Sequence, residues 1–590
     1  MAVHETLRLH ITADNFIIEP TDSGSNELLV IDRVTREITT QDNQGQIPAS
    51  SIAKPIFGIF GIIHLIAGPY LIVITKREKV GELNGHTIWA VTDTEIHSYS
   101  KTLFHLTEKQ ITFNKTYLSM VEHVVALKGY YFSATYDLTH SMQRLHNTSP
   151  EFLSIPLHER ADARFMWNYH VMRDLSEQPE LSQYCLPIVH GFISAKTSNI
   201  GNKTFTYLLI SRRSVYRAGT RFYMRGLDTE GKVANYVETE QILLCDGHKC
   251  SFVQTRGSIP LFWSQRPDLK YKPRPVIHNS SNHMEGFSQH FDEQIYNYGK
   301  QVLVNLVNGS GSEGLLAKAF AQSVINAQNS KVRYEFFDFH HECGQTKWHR
   351  LAILMNRLEE ERQNFGYLAI QRDGTELCEQ EGVFRTNCID CLDRTNVVQS
   401  MFARITLAEQ FRRFGILESN QKIEDFKQFN SLFMNVWADN ADALSVQYAG
   451  TGALKTDYTR TGARTLTGMM MDGWNSLTRY FINNFRDGFR QDSVDLFLGN
   501  YVIEEEEDTN IPSPYSDEWD WKFYVIPVIF VITVAMCILS ILIPHEHFGE
   551  QLMYVIFWGG AATISFGLIY LYGVEYVNSP RLAQAKVKME

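Results

Sequence analysis

Residues 383–398, VFRTNCIDCLDRTNVV, set two cysteines three positions apart among charged side chains and use the tripeptide Arg-Thr-Asn twice. Three chemistries use such a run. Cys388 and Cys391 supply one C-x-x-C, but a structural zinc site needs four ligands. The nearest further donors are Cys245, His248 and Cys250, or His340, His341 and Cys343. Neither group adds a second C-x-x-C, so no metal site is expected. C-x-x-C between a strand and a helix also serves redox exchange, although the highly charged surroundings in NCIDCLDR speak against it. The third chemistry is phosphate binding, because Cys388 and Arg394 stand in C-x5-R spacing.

That spacing alone is weak. Cys250 and Arg256, in CSFVQTR, repeat it. There the intervening residues are β-prone, carry no acid and run into GSIP rather than a helix, so this copy reads as a decoy. Around Cys388 the context differs. EGVF before it suits a short buried strand. TNVVQSMFARI after it starts a helix, with Val397, Val398, Met401, Phe402 and Ile405 on its apolar side. A loop so placed, made of Asn387, Ile389, Cys391, Leu392 and Thr395 about the sulfur, turns its backbone N–H groups on one spot with a helix N-terminus behind it. That is a cradle for an anion.

The chemistry follows from the residue types. A thiol with its ordinary pKa of about 8.5 is a poor nucleophile at neutral pH, and a helix N-terminus with an arginine lowers it. Cys388 thiolate can then attack phosphorus and form a phosphocysteine. The planar fork of Arg394 suits two phosphate oxygens. Asp390 and Asp393 are the local candidates for the proton donor and base. No metal and no cofactor is required.

The rest of the chain must hold and locate this loop. At 590 residues it is too long for one core, and two or three globular units are expected. The formal net charge of -11 argues against a nucleic-acid partner. Residues 1–180 read as a β-rich region. In it the apolar run 56–75 is interrupted by glycines, Pro69 and His64, and suits two strands and a turn better than a membrane span. Residues 181–500 mix strands and helices, with one amphipathic helix expected over 284–308, a strand over 331–344 and a helix ending at Gly415. Residues 501–522 form an acidic, Pro-containing linker. Residues 523–543 and 552–574 are uncharged and apolar over the length that crosses a bilayer, with a short loop at 544–551 and a tail at 575–590. Lys522 before the first span and Arg581, Lys586 and Lys588 after the second place both termini in the cytosol. The eight cysteines are then expected as free thiols.

RTNCIDCLDRTN resembles the catalytic loop of the Sac-domain phosphoinositide phosphatases, a branch of the cysteine-dependent phosphatases. Segments 216–241, 254–265, 334–344 and 436–465 resemble the same family, so the likeness covers most of residues 120–465. It implies an α/β catalytic domain of the cysteine-dependent phosphatase type behind the β-rich region. It puts the nucleophile on Cys388 and the phosphate-binding arginine on Arg394, and it leaves the proton donor between Asp393, preferred, and Asp390. It implies phosphatidylinositol 4-phosphate as first substrate and the 3-phosphate as second. Two aspartates and no lysine between Cys388 and Arg394 fit a monophosphorylated ring.

The two C-terminal spans resemble those of the family's integral-membrane members, which implies residence in endoplasmic reticulum and Golgi membranes. In KVKME, Lys586 and Lys588 resemble a coat-protein retrieval signal, and lipid-transfer or contact-site proteins are the expected partners. Lys455, Arg460 and Arg464, in a Gly/Thr-rich stretch, are candidates for substrate phosphate or anionic lipid. A catalytically weak phosphoinositide-binding tether and a protein tyrosine phosphatase are the alternatives. The intact Cys388, Asp393 and Arg394 weigh against the first and the membrane hairpin against the second.

Overall fold

The computed structural model describes residues 2–21, 24, 26–49, 51–279, 282–344, 347–462, 464–503, 521–543 and 548–582. The apolar run 56–75 folds as two antiparallel strands, Ile59–Leu65 and Gly68–Leu83, with Leu65 opposite Gly68. Gly68 closes the reversal at φ 100°, a backbone state that glycine adopts without strain. Nearly every side chain of the first of these strands is buried on both faces, which explains why the run is continuously apolar. Ahead of it, the strands Leu7–Ile11, Asn15–Pro20, Glu27–Asp32, Ile38–Asp42 and Ile52–Ile56 make a separate five-stranded antiparallel sheet.

A thirteen-stranded mixed sheet is the main layer. From Ile59–Leu65 it proceeds antiparallel through Gly68–Leu83, His86–Ser98, Tyr130–Phe132, Val189–Ile200, Lys203–Arg213, Val237–Cys245 and His248–Arg256. It then turns parallel through Gly382–Asn387, Lys300–Asn305 and Val332–Phe336. The sheet crosses residue 180 unbroken, since Tyr130–Phe132 pairs with Val189–Ile200. On the site side its face is covered by the helices Asp393–Arg413 and Lys427–Ala449. Phe384 of the sheet stacks on Phe402 of the first helix at 4.0 Å between centroids. Both rings are fully buried, so truncating either to alanine removes about 3–5 kcal/mol.

Two sequence expectations are corrected. Residues 284–308 are not one helix. The helix His283–Tyr298, capped by Asn282, stops at Gly299, and Lys300–Asn305 is a strand. Gly299 has φ 74°, and a Cβ there would lie 2.2 Å from the Glu381 carbonyl oxygen, so glycine ends the helix and admits the neighbouring chain. Nor are residues 331–344 one strand. Val332–Phe336 is extended, then the Asp338 side chain accepts from the His341 N–H and starts a single helical turn, Phe339–Cys343.

Two C-terminal helices, Trp521–Leu542 and Phe548–Leu571, are long and apolar enough to cross a bilayer and are largely exposed. They pack antiparallel. Gln551 Nε2 donates to the Ser540 carbonyl at 3.1 Å near one end, and Phe523 meets Tyr572 at the other. Beyond them the chain returns to the body. Asn578 N–H donates to the Asn484 carbonyl at 2.7 Å, and the N–H groups of Arg581 and Leu582 donate to the Asp492 carboxylate. Most of the acidic linker, the centre of the inter-helix loop, Lys586 and Lys588 lie outside the described residues.

Candidate active site

The strand Gly382–Asn387 runs parallel between Lys300–Asn305 and His248–Arg256, and all six of its residues are buried. Loops after the carboxyl ends of parallel strands are where α/β sheets bind ligands. Asn387 closes the strand by donating to Asn305 Oδ1 at 2.6 Å. Cys388 is the next residue and Asp393 begins the following helix, so only four residues intervene.

Those few residues wrap the Cys388 sulfur. Cys391 sits at φ 53°, a left-handed turn that curls the backbone back. Its N–H donates to Cys388 Sγ at 3.0 Å, and its own thiol donates to the Gly257 carbonyl. A hydrogen bond from the Cys391 side chain brings the Cys388 thiol down to about 6, against the cost of burial and with help from the Arg394 charge. Burial pushes Cys391 the other way, well above the ordinary thiol range. The pair thus holds one thiolate and one thiol near neutrality.

The two aspartates occupy opposite surroundings. Asp390 takes Arg221 Nη2 at 2.7 Å and Arg225 Nη2 at 2.6 Å. Burial would raise this carboxyl, but the two guanidiniums hold it well below the usual carboxylate range. Asp393 accepts the Leu454 N–H at 3.0 Å. Burial raises its carboxyl, and the Arg479 charge and that N–H offset only part of the rise. Asp390 is therefore a fixed anion and Asp393 a group able to carry a proton.

Arg394, on the first turn of the helix, donates through Nη1 to the Leu306 carbonyl at 3.0 Å and to Glu313 Oε2 at 3.1 Å. The remaining loop residues are held by backbone and packing. The Ile389 carbonyl accepts from Arg225 Nη1 at 2.7 Å, Leu392 packs against Tyr448 and Ala449, and Thr395 is buried.

Beneath the loop lie two buried arginines, Arg256 and Arg385. Arg385 is tied to His290 and the Ser258 carbonyl. None of the three side-chain nitrogens of Arg256 has a hydrogen-bond partner among the described residues. Burial pulls its guanidinium down to about 10, and the Cys391 and Cys388 sulfurs counter that pull. Cys250, six residues before it, is buried in the core. The CSFVQTR run is thus a strand, as expected of a decoy, but its arginine belongs to the floor of the real loop.

Spacing also gave no sign of Glu313, Arg385 or Asn235, which donates to the Asp390 carbonyl at 3.0 Å. Arg217 braces the arginine loop by donating to the Arg225 carbonyl. Of the Gly/Thr-rich stretch, part is a helical turn, Thr456–Thr461. Arg460 is paired to Asp439 and Asp442, and Arg464 to Asp457 and Asp472. Lys455 follows Leu454, the residue that touches Asp393.

The arrangement offers a depressed thiol, a cationic floor, a forked cation on the rim and a protonatable carboxyl, which together suit attack on a phosphoryl group.

Residues 57–344 match the SacI homology domain model, which ends before the cysteine loop. Relatives extend across it. The chain is 51% identical over 589 residues to "phosphatidylinositol-3-phosphatase SAC1-B" of Danio rerio, covering 100% of both chains. It is 45% identical over 584 residues to "phosphatidylinositol-3-phosphatase SAC1" of Drosophila melanogaster, covering 98% of this chain and 97% of that one. It is 37% identical over 556 residues to the protein of the same name in Saccharomyces cerevisiae, covering 91% of this chain and 87% of that one. With such identity sustained over almost the full length of each, the protein belongs to the SacI homology domain family.

Proposed function

We propose that the chain is a membrane-anchored phosphoinositide phosphatase of the cysteine-dependent type, acting on phosphatidylinositol 4-phosphate and phosphatidylinositol 3-phosphate. The observation that carries this reading is the Cys388 sulfur, its thiol brought to about 6 inside a loop ringed by arginines. The relatives whose names print a phosphatidylinositol-3-phosphatase support the substrate class.

In the reaction, Cys388 thiolate forms a bond to phosphorus as the bond from phosphorus to the inositol oxygen breaks. Asp393 gives its proton to that leaving oxygen. Water then attacks the phosphocysteine, Asp393 takes the proton back, and inorganic phosphate leaves with the thiolate restored. Arg394 binds the equatorial oxygens after exchanging Glu313 for phosphate, while Arg256 and Arg385 supply fixed positive charge below. Every charge the reaction needs is on a side chain, so the mechanism runs without a metal. Asp390, taken up by Arg221 and Arg225, fixes the loop and turns no free anion on the ring, so a preference for monophosphates does not rest on its charge.

The two apolar helices act as a hairpin that keeps the catalytic region and both termini on the cytosolic side of endoplasmic reticulum and Golgi membranes. Lys586 and Lys588 serve retrieval by coat proteins, and lipid-transfer proteins at contact sites are the partners this placement suits. The domain reading is a β-rich region through 180, a catalytic region through 500, then linker, hairpin and tail.

The test is phosphate release from vesicles carrying either monophosphate, with full chain beside Cys388→Ser and EDTA present. Release by the first and none by the second is expected. Equal release would remove Cys388 as nucleophile, and release abolished by EDTA would remove the metal-free mechanism.

A further inference from the structure

The helix Leu466–Phe485 is turned inside out relative to an ordinary surface helix. Its inward face is polar. Arg479 is buried and donates to Thr451 Oγ1, Ser445 Oγ and the Gly452 carbonyl, Asn483 and Asn484 are buried beside it, and Asp472 pairs with Arg464. Its outward face is apolar. Leu466, Met470, Trp474, Leu477, Phe481 and Phe485 follow one another at helical spacing on a single stripe. Met470 is 71%, Trp474 66% and Leu477 63% exposed. A helix facing water shows the reverse pattern.

The stripe continues into the membrane end of the molecule. Tyr480 donates to the Leu269 carbonyl at 2.7 Å, and Leu269 N–H donates back to Asn484 Oδ1. Gly573, just past the second apolar helix, lies against the same loop, where a Cβ would meet the Asp268 carbonyl at 2.3 Å. Lys270 Nζ stands 5.5 Å from the Tyr570 ring of that helix. From this junction the loop exposes Lys270, Tyr271, Lys272 and Arg274. At its other end the stripe helix reaches the catalytic loop, because Asp472 accepts the Lys455 N–H at 2.9 Å and the adjoining Leu454 N–H donates to Asp393.

We infer that the helix Leu466–Phe485 and the basic loop Lys270–Arg274 form a lipid-docking surface that lies in the interface of an anionic bilayer, the helix with its apolar stripe among the acyl chains. A bilayer fits where a protein partner does not. The stripe is straight and narrow, it carries Trp474 and Met470 with Met469 and Met471 exposed to either side, and it is flanked by cations at the point where a membrane-crossing helix emerges. Interfacial helices of this kind sink roughly 5–10 Å into the headgroup and acyl boundary. A helix at that depth carries with it the segment that contacts Asp393, through the Lys455 and Leu454 N–H groups.

The test uses full-length chain carrying Cys388→Ser, reconstituted in vesicles of phosphatidylcholine with phosphatidylserine, so that its first arm is independent of the phosphatase reading. A nitrobenzoxadiazole group is placed at Met470→Cys and, separately, at Val34→Cys, an exposed position in the turn that follows the strand Glu27–Asp32 of the N-terminal sheet. The Met470 probe is expected to shift to the blue and resist bleaching by external dithionite, while the Val34 probe bleaches at once. Equal bleaching overturns the inference. Protection that rises with protein-to-lipid ratio also overturns it, since a second copy then covers the stripe. The second arm rests on the proposed function and uses otherwise native chain with Leu477→Glu and Phe481→Glu. Hydrolysis of vesicle-borne monophosphate is expected to fall about tenfold, with hydrolysis of a dissolved short-chain monophosphate kept within about twofold. Loss on both substrates, or on neither, overturns the docking role.

Discussion

Arg225 reaches Asp390 with Nη2 at 2.6 Å and the carbonyl of the preceding residue, Ile389, with Nη1 at 2.7 Å. One buried guanidinium therefore fixes both a side chain and the backbone of the loop that encloses Cys388. Replacing Arg225 by alanine leaves a largely buried carboxylate with half its charge partners, which costs about 3–5 kcal/mol. A thermal melt of the full chain should show this as a drop in Tm of several degrees. Asp390→Asn should also destabilise at neutral pH. Its folded carboxyl is depressed, so the stability it adds is present above the unfolded value of about 3.9 and is lost as pH falls below it. The gap between wild type and Asp390→Asn should close with acidification.

Asp393 is the carboxyl that can hold a proton. Asp393→Asn is expected to slow turnover of the lipid by about a hundredfold to ten-thousandfold, and Asp390→Asn by much less. In the proposed mechanism the working form has Cys388 as thiolate and Asp393 as acid. Activity should therefore pass through a maximum with pH, since ionisation of the Cys388 thiol, at about 6, favours it and loss of the proton from Asp393, whose carboxyl burial raises, works against it. In Asp393→Asn the alkaline fall should vanish, leaving a rise through about 6 as the thiol ionises. A profile with both limbs intact would move the acid elsewhere.

Arg256 sits in the floor without a hydrogen-bond partner among the described residues, so its charge is its contribution to the sulfurs above. Arg256→Met keeps the volume and removes that charge. The Cys388 thiol should ionise at higher pH, seen as a shift of the iodoacetamide alkylation profile by about one unit, worth roughly 1.4 kcal/mol. Arg256→Lys should recover most of the shift.

Glu313 pairs with Arg394 at 3.1 Å, and in the proposed mechanism substrate phosphate must take its place. Glu313→Gln keeps a hydrogen-bond acceptor and removes the competing charge. KM for either monophosphate is expected to fall by about twofold to tenfold, with kcat changed less. A rise in KM would mean that Glu313 orients the arginine instead of withholding it.

What the sequence disclosed was local. The strand, sharp loop and helix around Cys388 could be placed because Gly382–Asn387 and Asp393–Arg413 are written in contiguous residues. The apolar run 56–75 could be taken from the membrane and given to a sheet because Gly68 and Pro69 break it. What it hid was long-range. Arg221 and Arg225 lie about 165 residues before Asp390, so nothing in the loop itself announced which aspartate would be pinned as an anion. Arg256 looked like half of a false motif because sequence spacing does not reveal that its strand pairs with the one leading to Cys388. The helix ending at Gly299 was overrun for the same reason. Its glycine answers to Glu381, a neighbour far along the chain. The outward stripe on Leu466–Phe485 was periodic from the start, but only the fold shows that its polar side is the buried one.

The return of the chain from its second apolar helix to Asn484, Phe489 and Asp492 leaves no slack between the hairpin and the body. An enzyme on a long leash samples a volume, and its encounters depend on how much of that volume holds substrate. One seated at the foot of its own anchor samples an area. Its turnover in a cell should then follow the number of substrate molecules per unit of the surface it occupies, and should respond to lateral crowding and local lipid supply before it responds to the amount of substrate elsewhere.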